Sequence, residues 1–165
     1  MLQEHWLADE QLCVLGDISD LFLYTGVSGF DSVDVLSGRP YGGCAILWRS
    51  DLSFVAENII THSRRVCAIR LTSDIYKLLL FSVYLPHEGG ELLTDEFMFQ
   101  LDVIDNVLSE NSDCHVVVAG DFNVDFARGW VHTAILDGFC DKNGLIPADR
   151  HASCSVDYSL HITLT

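Results

Sequence analysis

Basic residues are scarce in this chain: nine Lys and Arg stand against 24 Asp and Glu, a formal net charge of −15. Affinity for a nucleic-acid duplex comes largely from cations that displace counterions, so this balance argues against strong nonspecific nucleic-acid binding. The six cysteines, Cys13, Cys44, Cys67, Cys114, Cys140 and Cys154, form no C-x-x-C pair and no zinc-finger spacing, which argues against a structural zinc site. Several lie in apolar, strand-like runs where cysteine acts as a small hydrophobe, and a reducing, intracellular compartment is the natural inference. No stretch reaches 18 apolar residues, and the opening M-L-Q-E-H-W lacks the charged and apolar regions of a signal peptide, so neither a membrane segment nor an export signal is expected. No internal repeat or low-complexity tract is present.

What is present is a globular composition. Of 165 residues, 49% are hydrophobic and 20% charged, which fits a single domain over 1–165 with a continuous core. The chain is organised around Cys114 to Phe126, C-H-V-V-V-A-G-D-F-N-V-D-F. Its β-branched run suits a strand buried on both faces. Gly120 allows a sharp turn, and Asp121 and Asn123 follow two residues apart, on one side of an extended segment. Two readings of that pair stand side by side. Asp and Asn can satisfy local backbone donors as a turn, and a carboxylate and an amide at a strand's exit can carry chemistry.

Tyr76 to Pro86, Y-K-L-L-L-F-S-V-Y-L-P, is a second core strand ended by proline, which removes a ladder donor. Further strands are expected at Leu21 to Val27, Tyr41 to Arg49, Ser53 to Ile60 and Arg65 to Thr72, with a short helix near residues 8–18 and a loop from Ser28 to Pro40. Gly42 and Gly43 are read as permitting close backbone packing, since no phosphate-loop pattern follows them. A helix is expected from Thr94 to Asn111, with Phe97, Leu101, Ile104 and Leu108 on its apolar face and Thr94 as N-cap. A second covers about 130–145 and stops at Gly144, with His132 on its surface. His62-Ser63-Arg64-Arg65 reads as a turn with exposed charge and only weakly as a phosphate-contacting patch.

Gly120-Asp121-Phe122-Asn123 after an apolar strand, with Gln3-Glu4 and Val83-Tyr84-Leu85-Pro86, resembles the endonuclease/exonuclease/phosphatase superfamily, and within it the endonuclease of non-LTR (LINE-type) retrotransposons. The resemblance implies an α/β fold, a four-layered α/β sandwich of two mixed sheets flanked by helices, DNase I-like and incomplete. It implies Mg²⁺ or Mn²⁺ held by Glu4, with Asp121 positioning or deprotonating a water and Asn123 orienting phosphate and water. Tyr84 would contact the scissile phosphate, and Asp157 of the Asp157-Tyr158 pair would orient a histidine. His87 stands where many relatives carry a substrate-contacting asparagine. The family's first strand and its C-terminal Ser-Asp-His triplet are not matched; Ser159-Leu160-His161 has leucine in place of the aspartate.

The implied function is a metal-dependent phosphodiesterase domain, a retrotransposon-type DNA endonuclease fragment with weak or no activity alone, binding DNA weakly and no membrane. Two alternatives are carried forward: a phosphatase of the same fold acting on small or lipid phosphoesters, and a non-catalytic remnant or interaction module.

Overall fold

The computed structural model describes residues 1–30, 42–126 and 128–148, and the backbone of 159–163. In chain order the elements are β1 (Leu2–Gln3), a 3₁₀ stretch (Asp9–Ile18), β2 (Phe22–Val27), β3 (Cys44–Arg49), β4 (Val55–Ile59), β5 (Val66–Thr72), β6 (Lys77–Tyr84), α1 (Glu91–Glu110), β7 (His115–Asp121), α2 (Val131–Asn143), β8 (Ile146–Pro147) and β9 (Ser159–Thr163). They form two sheets, ordered β1-β3-β2 and β4-β5-β6-β7-β9-β8. The described pairings of the smaller sheet are antiparallel. The larger sheet is mixed, because β6 and β7 run parallel with α1 as their crossover. This is the α/β sandwich that the resemblance implies.

Period-two alternation in the central strands builds two cores. Val66 and Ala68 of β5, Leu79, Phe81 and Val83 of β6, and Val116 and Val118 of β7 face α1 and α2, meeting Phe97, Leu101, Ile104, Leu136 and Phe139. The opposite faces, with Cys67, Ile69 and Leu71 of β5 and Leu78 and Leu80 of β6, meet Cys44, Ile46 and Val27 of the smaller sheet. Tyr84 and Ser82 fall on this second, inter-sheet side. Outside the smaller sheet, the 3₁₀ stretch buries Leu15 and sets Gly16 against the Tyr24 ring.

Several elements depart from expectation. The segment at 8–18 is a 3₁₀ stretch, started by Gln11 Oε1 accepting from the Ala8 amide at 3.1 Å. α1 begins three residues before Thr94 with Gly90 as N-cap, and Thr94 Oγ1 donates back to the Gly90 carbonyl at 3.2 Å. His132 is not on a helix surface. It is fully buried, stacked on Phe97 with ring centroids 4.1 Å apart, and its Nε2 lies 3.2 Å from Thr94 Oγ1. The inward face of α2 runs through His132, Leu136, Phe139 and Cys140, the i, i+4, i+7, i+8 stripe of a helix packed on one side. The stop at Gly144 holds: it sits in the left-handed region at φ 65°. The loop expected at 28–40 lies mostly outside the described residues.

Candidate active site at the mouth between the sheets

β6 and β7 end side by side, with Val83 opposite Gly120 and Tyr84 opposite Asp121. The approach is tight. A Cβ on Gly120 would lie 2.1 Å from the Val83 carbonyl oxygen, and Gly120 has φ +145°, so only glycine lets the strands end in this register. The Asp121 carbonyl then accepts from the Leu85 amide at 2.8 Å, turning the two exits together.

Beyond the strand, Asn123 adopts φ 51°, a left-handed conformation that Asn tolerates better than most residues. Its amide N–H donates to Asp121 Oδ1 at 2.9 Å, and its Nδ2 donates to the Leu85 carbonyl at 2.8 Å. The Asx-turn reading and the chemical reading of this pair are therefore compatible. One Asp121 oxygen organises the turn, and the other is uncommitted to it.

Glu4 reaches the same place from the smaller sheet. β1 makes two ladder positions, Leu2 with Ala45 and Gln3 with Cys44. The Glu4 and Trp6 amides extend the pairing by donating to the Gly43 and Gly42 carbonyls at 2.9 and 3.1 Å. Buried Ser82 ties β1 to the larger sheet, its Oγ accepting from Gln3 Nε2 at 2.9 Å and donating to the Leu2 carbonyl at 3.2 Å. His5 seals the corner: its Nδ1 accepts from the Leu7 amide and its Nε2 donates to the Val27 carbonyl, both at 3.1 Å. A Cβ on Gly43 would come within 2.4 Å of that ring, so Gly43 serves close packing.

The result is a junction of both sheets. Tyr84 Oη donates to Glu4 Oε1 at 2.6 Å. Burial, then the bond to Glu4 and the charges of Glu4 and Asp121, push the Tyr84 phenol up to about 12. Burial and the Glu4 charge hold the Asp121 carboxyl above the usual carboxylate range, while the Asn123 amide works in the opposite direction. Behind the ring, Arg65 Nη1 donates to the Tyr84 carbonyl at 3.2 Å, and the guanidinium lies 5.5 Å from the ring centroid.

Glu4, Tyr84, Asp121 and Asn123 are thus brought together. His87 is exposed on the loop beyond Pro86, beside Gly89. Asp157 lies outside the described residues. The roles of Ser82, His5 and Arg65 are not legible in the sequence, because each depends on contacts between segments distant in the chain.

The donor set suits a hard divalent cation. Glu4 lies near enough to Asp121 for its charge to raise the Asp121 carboxyl, and among the described residues neither has a Lys or Arg ion-pair partner. No group of three or more His, Cys, Asp or Glu side chains able to hold a metal occurs among the described residues. Two carboxylates with remaining positions filled by water and phosphate are what Mg²⁺ commonly uses.

The structure is a two-sheet α/β sandwich with Glu4, Tyr84, Asp121 and Asn123 at one mouth. The model of the Endonuclease/Exonuclease/phosphatase family matches residues 1–152, and the chain belongs to that family. Solved structures share the fold. Humanized D. rerio TDP2 carrying 14 mutations superposes with a TM-score of 0.63 at 20% identity over 99% of this chain and 68% of its own. The endonuclease domain of TRAS1, a telomere-specific non-LTR retrotransposon, gives 0.62 at 12% identity over 86% of this chain and 64% of its own. The mannosyl-6-phosphatase Bt3783 of Bacteroides thetaiotaomicron gives 0.59 at 16% identity over 98% of this chain and 69% of its own. The chain therefore spans about two thirds of the length of these structures. No curated protein sequence matches it. Among the described residues no helix is long and apolar enough to cross a membrane.

Proposed function

We propose that this domain hydrolyses phosphodiesters with the help of Mg²⁺ or Mn²⁺, and that its substrate is DNA, a reading supported by its likeness to the endonuclease domain of TRAS1. The observation that carries the reading is the Tyr84 to Glu4 hydrogen bond, which joins the two sheets directly beside Asp121 and Asn123. Glu4 would hold the cation, which when bound supplies a Lewis acid for the charge that develops on phosphate oxygens.

The chain's own residues account for the remaining steps. Asp121, its carboxyl raised first by burial, stands at the strand exit beside Asn123 and takes a proton from the attacking water. Asn123 uses one Nδ2 hydrogen on Leu85, so its second N–H and its Oδ1 are available to orient phosphate and water. Tyr84 stays protonated at neutral pH and donates its hydrogen to a phosphate oxygen in place of Glu4. Water oxygen bonds to phosphorus as the bond from phosphorus to one ester oxygen breaks; that oxygen takes a proton from solvent and leaves as an alcohol, Asp121 returns its proton to solvent, and a phosphomonoester remains. The net charge of −15 makes DNA binding weak and salt-sensitive. The same charge favours a second reading, a phosphatase acting on small phosphoesters.

The two readings separate when hydrolysis of a DNA oligonucleotide and of p-nitrophenyl phosphate is compared at low salt with Mg²⁺, for the chain and its Asp121→Asn variant. The DNA reading expects Asp121-dependent cleavage of the oligonucleotide with little monoester turnover. Turnover of the monoester alone overturns it.

A further inference from the structure

We infer that His5 is a positioning residue for Glu4, holding the turn that aims the Glu4 carboxylate into the mouth between the sheets. Consecutive residues of an extended strand point to opposite faces. Gln3 and Glu4 do not: Gln3 Nε2 donates to Ser82 Oγ at 2.9 Å, and Glu4 Oε1 accepts from Tyr84 Oη at 2.6 Å. Ser82 and Tyr84 lie two apart on β6 and share its inter-sheet face, so both neighbours reach toward the larger sheet. The backbone accounts for this. Glu4 has φ 53° and Trp6 has φ 58°, and the left-handed turn at Glu4 swings its side chain to the side that Gln3 already takes. A non-glycine residue keeps such a conformation only where its surroundings impose it.

His5, between the two, supplies that restraint. Gln3 and Val27 flank Cys44 in the smaller sheet, one on each side of β3, and the His5 ring crosses the start of β3 from the first side to the second. Its Nε2 donates to the Val27 carbonyl and its Nδ1 accepts from the Leu7 amide, both at 3.1 Å, which requires the neutral ring with its proton on Nε2. The Leu7 bond closes a turn from i to i+2 around Trp6, as an Asx side chain does. Gly43 makes room for the ring, since a Cβ there would lie 2.4 Å from it. The Glu4 and Trp6 amides donate to the Gly43 and Gly42 carbonyls, so ring and backbone grip one segment. Ser82 fastens the strand before Glu4, and His5 fixes the turn beyond it.

The use of this turn in catalysis rests on the phosphodiesterase reading, but its first test needs neither metal nor hydrolysis. Tyrosine labelled with carbon-13 at Cζ reports the Tyr84 hydrogen bond by NMR, with Tyr84→Phe assigning the signal and Glu4→Ala marking its unbonded position. His5→Phe keeps a ring over Gly43 and loses both hydrogen bonds. It is expected to move the Tyr84 signal to the Glu4→Ala position while the Tyr24 and Tyr76 signals stay in place. His5→Asn, whose Oδ1 can accept from the Leu7 amide, is expected to bring the signal part of the way back. Mn²⁺ binding followed by EPR should weaken about 10- to 100-fold in His5→Phe, the usual effect of removing a group that orients a metal ligand. Displacement of the Tyr84 signal with Mn²⁺ binding unchanged even in Glu4→Ala would count against the metal site alone. A Tyr84 signal at its wild-type position in His5→Phe, or equal displacement in His5→Phe and His5→Asn, would overturn the inference.

Discussion

Ser82→Ala probes how Glu4 is delivered to the site. Ser82 is fully buried, and its hydroxyl makes the two hydrogen bonds that fasten β1 to the larger sheet, to Gln3 Nε2 at 2.9 Å and to the Leu2 carbonyl at 3.2 Å. Each is worth about 1 kcal/mol net, and the released groups sit at a partly exposed edge where water can replace the lost partner. The loss is therefore about 1–2 kcal/mol, or about 2–8 °C in Tm for a domain of this size. It should be concentrated in β1, whose ladder has only two positions. Hydrogen exchange reads this directly. The Glu4 and Trp6 amides, bonded to Gly43 and Gly42, are expected to lose protection about 5- to 30-fold. Amides in the middle of β6 should change only with global stability. Unchanged exchange at Glu4 and Trp6, or an equal change across both sheets, would refute the view that Ser82 is what holds Glu4 in place.

Gly120→Ala should cost about 3 kcal/mol or more, because its methyl meets the Val83 carbonyl and its φ is one that L-residues avoid; a Tm within 2 °C of wild type would count against this register. Asp121→Asn should raise the Tm in the absence of divalent cations, since it removes a charge disfavoured by burial and by Glu4, and added Mg²⁺ should narrow the gap; a lower Tm in EDTA would contradict it. Tyr84→Phe should lower kcat for phosphodiester cleavage about 10²- to 10³-fold, the usual effect of removing one donor to developing charge, measured by single-turnover kinetics. His132 is buried with Nδ1 lacking a hydrogen-bond partner, and burial holds its pKa below the ordinary 6.5. The folded state therefore binds fewer protons at this ring than the unfolded chain does, so stability is lost as pH falls below about 6.5. Denaturant titrations at pH 7.5 and 5.5 should show a smaller difference for His132→Phe than for wild type.

The sequence announced its central elements wherever one pattern left a single reading. The Val116 to Ala119 run ending in Gly120 and Asp121 reads as a buried strand with a polar exit, and it is one. Phe97, Leu101 and Ile104 mark the inward face of α1 by spacing alone, and all three are buried. Its start is not legible in the sequence, because Gly90 offers no side chain to cap with, while Thr94 looks like a cap yet bonds backward from within the first turn. A histidine's polarity points His132 to the surface, whereas the stripe it heads is apolar and buries it. The convergence of Glu4, Tyr84, Asp121 and Asn123 could be expected only through family resemblance. The parallel register of β6 on β7 and the Ser82 tie to β1 are properties of pairing, and no local pattern records them.

Nicking of supercoiled plasmid at low salt with Mg²⁺ or Mn²⁺, by the wild-type chain and by Glu4→Gln and Asp121→Asn, tests the central claim most directly. The account predicts cation-dependent nicking by the wild type that falls to background in both variants. Equal nicking by all three proteins, or none by the wild type at any cation concentration, would contradict the assignment of these carboxylates to a phosphodiesterase centre.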